Sequence, residues 1–317
     1  FLISKSEYNN IKLIGKYKNN VLQIKELSIL NFAKGDLSLI GNINYTSKPT
    51  TYDLKVNCKH NDFIQFYNFY NLPKYFQSIL SGKGKIEFLA KGELDSLVSN
   101  LKLNTDRLNF FYKGDINLKN LSLVGYDGEI SLKIKNLNNF LSLSTKSNAI
   151  EKADFFSDVL MVNNKLNIEN INLESNSYNY KGDIYINYLK SNKINFDIDL
   201  FAKVSSINDI ENIYNYFNLS PNSLIKGRAK LKADLFNFNN LNIYNFNSLV
   251  NFNEEETHLK KLEGDLFNGT ISAEIKRSNK KKYKYNGNIK LSNIDGSALI
   301  NNYFSYNKIQ ADIDGKA

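Results

Sequence analysis

Hydrophobic and polar residues alternate one for one along most of this chain. In "KINFDIDLFAKV" (193–204), Ile194, Phe196, Ile198 and Leu200 take one side, and Asn195, Asp197 and Asp199 take the other. "YDLKVNC" puts Leu54, Val56 and Cys58 on one face, and "GKIEFLAKG" does the same for Ile86, Phe88 and Ala90. "GTISAEIKR" adds Ile271, Ala273 and Ile275, "YNGNIKLSN" adds Ile289 and Leu291, and Ile184 and Ile186 keep the same phase. A period of two predicts β-strands with one apolar and one polar face. That is the antiparallel pattern, because strands of a helix-covered parallel sheet read as continuous apolar runs. Glycine-led signals such as "KGDLSLIGN", "SGKGKI", "YKGDI", "YDGEI", "YKGDIYI", "LEGDLFNGT" and "YNGNI" read as turns between the strands. The three prolines leave long ladders uninterrupted.

Three segments change to helical spacing. From Ser206, Ile207, Ile210, Ile213, Tyr214 and Phe217 fall on one helical face, with Ser206 and Asp209 as a start of capping-box type. From Lys59, Phe63, Phe66, Tyr67 and Tyr70 follow the same spacing, with Pro73 beyond them. "NAIEKADFFSDVL" carries Ile150, Ala153, Phe156 and Val159 and predicts a third short helix. The fold class expected is therefore all-β with a few short helices.

The phrase "NDFIQFYNFYNLP" (Asn61–Pro73) returns as "NDIENIYNYFNLSP" (Asn208–Pro221), keeping its apolar stripe while Phe63 and Phe66 give way to Ile210 and Ile213. A structural helix tolerates that exchange. "GKGKIEFLAKGELDSL" parallels "KGRAKLKADLFNFNNL", and a looser copy closes the chain. Irregular repeats are expected at about 50–100, 193–245 and 284–317. No linker or composition shift divides the 317 residues, although single cores usually stop growing beyond about 250. The expectation is one elongated sheet over 1–317, growing along one axis. "FLISKSEYNN" and "IQADIDGKA" both read as the middle of a sheet, as in a segment of a longer protein.

Charge and candidate chemistry change little. The net charge of +9 favours anionic partners, but the lysines are scattered and the Asn and Lys abundance matches AT-rich codons. The dense run "KRSNKKKYKYNG" (Lys276–Gly287) reads as a solvated hairpin tip. Cys58 reads as a buried packing thiol, and a single cysteine allows no disulfide within the chain. No apolar stretch is long enough for a transmembrane helix. His60 and His258 stand far apart, without HExxH or CxxC, so no metal is expected. GxSxG, Walker and GxGxxG loops are lacking, so neither catalysis nor a cofactor is expected. Glu254–Glu256 beside His258 reads as a solvated turn, and "NGT" at Asn268–Thr270 as a β-turn.

Residues Leu262–Ala317, with "GDLFNGTISAEI", "LSNIDGSALI" and "IQADIDGKA", resemble the C-terminal repeat of AsmA-type proteins, the AsmA, TamB and YhdP relatives of Gram-negative bacteria. "ELSILNFAKGDLSLIGNINY" is similar to the family's repeated strand pairs. The resemblance implies a curved, taco-like antiparallel β-sheet with an apolar inner groove. It also implies a bridge-like lipid-transfer role: phospholipids or other acyl lipids as partners, and a periplasmic location under an inner-membrane anchor outside this segment. Support of outer-membrane biogenesis would follow. The groove-lining residues would be Leu54, Val56, Ile86, Phe88, Ile184, Ile186, Ile194, Phe196, Ile198, Leu200, Ile271, Ile275, Ile289 and Leu291. The chemistry agrees, since exposing two acyl chains of roughly thirty methylenes to water costs about 25 kcal/mol. A secreted or surface β-solenoid of adhesin type is the alternative. It would show tighter repeats, more Gly, Ser and Thr, and a closed interior. A basic β-sheet nucleic-acid binder would need clustered Lys and Arg among aromatics, whereas the polar face is mostly Asn, Asp and scattered Lys.

Overall fold

The computed structural model describes residues 9–32, 35–62, 82–119, 122–135, 152–176, 179–189, 193–207, 224–238, 241–278, 285–297 and 312–316. The chain is all-β and falls into two compact units, Phe1–Asn163 and Asn164–Ala317. The first holds β1 (Asn9–Lys18), β2 (Val21–Phe32), β3 (Gly35–Asn44), β4 (Thr51–His60), β5 (Gly84–Glu93), β6 (Ser96–Thr105), β7 (Leu108–Lys119), β8 (Ser122–Ile134) and β9 (Ala153–Val162). Each strand pairs antiparallel with the next in sequence. Among the described residues β1 and β9 do not pair, so this meander stays open rather than closing into a barrel.

The second unit holds β10 (Lys165–Ser175), β11 (Asn179–Leu189), β12 (Lys193–Ser206), β13 (Leu224–Phe238), β14 (Leu241–Phe252), β15 (Glu256–Leu266), β16 (Gly269–Ser278), β17 (Tyr285–Asp295) and β18 (Asp312–Lys316). Sequential antiparallel pairing holds here with one exception: β12 and β13 run parallel, Lys193 opposite Leu224 and Ser206 opposite Asn237. Strict alternation had predicted antiparallel pairing throughout. Alternation reports that a strand has two unlike faces and is blind to its direction. A parallel neighbour requires a crossover, here between Ser206 and Leu224. On the polar face this pair carries two ion pairs between directly opposed residues. Arg228 grips Asp197 with Nε at 3.0 Å and Nη2 at 2.6 Å, and Lys230 Nζ lies 2.6 Å from Asp199. Water reaches both pairs and screens them, so each adds little to stability.

The predicted helices fare differently. Only Ile207 at the start of one, and Gly296–Ser297 after β17, are helical among the described residues. Asp295 Oδ1 accepts from the Ser297 backbone N–H at 2.9 Å, a cap for the turn that begins there. The Phe63–Tyr70 and Ile210–Phe217 stripes, Ile150 and the 279–284 tip lie outside the described residues. The third helix is overturned: Ala153–Val162 is strand β9, paired along its length with β8. Ala153, Ser157 and Val159 are buried, while Asp154, Phe156 and Leu160 are exposed. A serine at an inward position hid the alternation.

The turn reading also needs correction. Gly114, Gly128, Gly182, Gly264 and Gly287 all lie inside strands. Tight turns use asparagine instead. Asn19 and Asn20 between β1 and β2 have φ of 49° and 56°, and Phe267 and Asn268 between β15 and β16 have 47° and 61°, as a type I′ turn requires. Asn170, Asn245 and Asn293 take the same left-handed conformation where the ladder slips by a bulge. Of the nine described non-glycine residues with positive φ, eight are Asn, so asparagine supplies most of the left-handed backbone.

Candidate functional site

In the first unit the inward positions line up strand after strand. Leu39, Val56, Phe88, Leu101, Tyr112 and Ile130 form one cross-strand row over β3–β8. Beside it run Leu37, Cys58, Ile86, Leu103, Phe110 and Leu132. In the second unit a row runs through Ile184, Ile198, Ala229, Val250, Leu259 and Ile275. Next to it Ile186 lies opposite Phe196, and the Phe196 and Phe252 rings meet at 5.6 Å beside Gly227.

The fourteen residues expected to line a lipid groove sit at alternating strand positions in the two units. Leu54, Val56, Ile86 and Phe88 belong to the first unit and the other ten to the second, so they form two sets. Most are half-buried, and Ile289 is 38% exposed. Leu54 faces Ala90, Ile194 and Leu200 share the phase of Ile198, and Ile271 faces Leu291.

One apolar hollow among the described residues contains none of the fourteen. It measures about 240 Å³ and is lined by Leu101, Phe110, Tyr112, Ile116, Tyr126 and Ile130 on β6–β8. Two signals obscured these residues: the aromatic run "NFFYKG" breaks simple alternation, and Gly114 and Gly128 mimic turns. Pairing Leu101 and Leu103 with Phe110 and Tyr112 across "NTDR" would have found them.

Tyr112 shows how a polar side chain lines such a hollow. Gly114 and Gly128 oppose each other on the same face. Without side chains there, the Tyr112 hydroxyl donates to the carbonyls of Asp115 at 2.7 Å and Asp127 at 3.2 Å. The ring meets Tyr126 edge-on at 6.4 Å and is 5% exposed. The ring thus faces the hollow while its polar tip is satisfied by backbone. Burial, with Asp115 and Asp127 adding repulsion, pushes this hydroxyl up to about 12 from 10. For an acid whose pKa is raised on folding, the unfolded chain loses its proton first. The stabilisation from Tyr112 is therefore whole below about pH 10 and declines as pH rises towards about 12. Replacing Tyr112 by Phe should cost about 1 kcal/mol at neutral pH, and this cost should shrink over that alkaline window. Urea unfolding of both proteins across the window checks it; a difference independent of pH would count against the buried-hydroxyl account.

Other titratable groups carry no comparable arrangement. Burial raises the Cys58 thiol and Asp36 adds to it, as expected of an unreactive packing cysteine. Buried His60 accepts from the Asp62 backbone N–H through Nδ1 at 3.3 Å. His258 Nε2 sits 2.8 Å from Glu274 on the neighbouring strand, while Asn253 Oδ1 accepts from the N–H groups of Glu255 and Glu256 in the turn. No group of three metal-ligating side chains occurs among the described residues. No described helix is long and apolar enough to cross a membrane. Comparison with protein-family models, with curated proteins and with solved structures finds no match to this chain.

Proposed function

We propose that this chain is a non-enzymatic lipid-binding segment that shelters acyl chains on the apolar faces of its sheets. In this reading it forms part of an AsmA-like, bridge-like envelope protein that carries phospholipids between inner and outer membranes through the periplasm. The observation that carries the proposal is the apolar hollow on β6–β8, continuous with six-residue apolar rows across the strands of its unit. Each methylene withdrawn from water there gains about 0.8 kcal/mol, so a path of such rows lowers the cost of moving an acyl chain. Phe196 and Ile198 take the same part in the second unit.

The test places a photo-crosslinking amino acid at Leu101 or Val56, on the apolar face, and at Val98, which is 59% exposed on the opposite face. Expressed in a Gram-negative host, the two inward positions should capture acyl lipid and Val98 should not. Leu101→Asp in the first unit and Phe196→Asp in the second should abolish capture in their own unit while far-ultraviolet circular dichroism keeps its strand signal. Equal capture at Val98, or no lipid on the unsubstituted protein, would reject the proposal.

A further inference from the structure

A second hollow, in the second unit, is lined by polar side chains together with Ile186, Phe196, Gly227 and Phe252. It measures about 490 Å³ and spans β10–β14. One row crosses it as Lys165, Asn187, Asn195 and Lys226, opposed strand by strand. The two lysines flank two carboxamides, about 14 Å apart at their Cα atoms by three strand spacings. The next row supplies Tyr185 and the Asp197–Arg228 pair. Asp197 engages Arg228 through both carboxylate oxygens, so that cation is already answered. Lys165 and Lys226 have no carboxylate partner among the described residues. Three cations against one carboxylate leave the lining with an excess of two positive charges. Asn187 and Asn195 have no side-chain hydrogen-bond partner among the described residues either. Each offers two donors and an acceptor to a ligand.

We propose that this hollow binds a phosphorylated polyol, its phosphate between Lys165 and Lys226, its hydroxyls on the Asn187 and Asn195 amides and its carbon skeleton against the Tyr185 ring. Ammonium groups recognise phosphate as point charges, and carboxamides pair with hydroxyls as donor and acceptor together. The lysines and asparagines occupy strand positions that alternate with those of Ile186, Phe196 and Gly227, which also line the hollow.

The test is isothermal titration of the chain with glycerol 1-phosphate, and with glycerol and inorganic phosphate as part probes. Glycerol 1-phosphate should bind more tightly than either part. The double variant Lys165→Ala, Lys226→Ala should weaken it by about tenfold or more, because two charge-assisted contacts are lost. The control is Lys203→Ala, Lys232→Ala, which removes the same charge from the second unit outside the hollow; it should leave affinity within about twofold. Vesicles of phosphatidylglycerol form a parallel arm. Binding of vesicles but not of the soluble ester, lost only in the first double variant, identifies a lipid headgroup as the source and supports the site. No binding in either arm, or equal losses in the two double variants, overturns it.

Discussion

Phe236→Ala should destabilise the second unit by about 3–5 kcal/mol. Phe236 stacks on Phe246 with ring centroids 4.1 Å apart and planes within 10°, and each is 4% exposed. The stack forms because neighbouring positions are small. Tyr180, Ala202, Ala233 and Phe246 form one cross-strand row, and the two alanines, 0% and 3% exposed, leave depth for the rings beside them. Ile243, Leu266 and Ile294 complete the cluster, and half-buried Ile207 packs against it. Truncation removes ring burial, leaves a cavity and forfeits the ring–ring contact, the last worth about 1 kcal/mol. Amide hydrogen exchange is the proper readout, because two compact units need not unfold together. Protection should fall across β12–β15 and remain on β3–β7. Phe236→Leu should recover most of the loss, since it refills the volume. A cost under about 1 kcal/mol for the alanine variant would mean that this cluster is not the core of its unit.

Much of the architecture was legible in the sequence, because period-two alternation follows directly from which side chains meet water. What failed to show depends on facts that alternation does not encode. Strand direction is one: "NDFIQFYNFYNLP" links antiparallel β4 and β5, whereas its echo links parallel β12 and β13. The same phrase thus serves two topologies. The role of glycine is another. "YKGDI" and "YDGEI" have turn composition, yet Gly114 and Gly128 sit mid-strand because a tyrosine tip needs the space above them. Conversely, asparagine looked like codon bias and proved to make turns and bulges. The hollow on β6–β8 was missed for the same reason, since its residues flank those two glycines.

Gly114→Ala should therefore cost about 3 kcal/mol or more, although it adds only one methyl group. A Cβ built at Gly114 would lie 2.1 Å from the Asp127 carbonyl oxygen and 2.5 Å from the Gly128 Cα. Both neighbours are backbone, so no side-chain rotation relieves the overlap, and β7 must part from β8. The Asp127 carbonyl is also an acceptor of the Tyr112 hydroxyl. The shift would strip that bond and tilt the ring that lines the apolar hollow. Two readouts separate this from a general loss of strand propensity. Amides of β7 and β8 should lose protection ahead of β3 and β4, and the Tyr112 hydroxyl should titrate closer to its ordinary value. Gly15→Ala is the control: on exposed β1 its Cβ would come no nearer than 3.0 Å to any atom, the nearest being the Gln23 carbonyl oxygen, with its other neighbours at 3.9 Å or beyond. A neighbour that gives by a few tenths of an ångström accommodates it, at a cost below about 1 kcal/mol. Equal costs for the two variants would show that Gly114 is an ordinary strand glycine. A selective loss at Gly114 would tie the shape of the hollow to the two glycines beneath Tyr112.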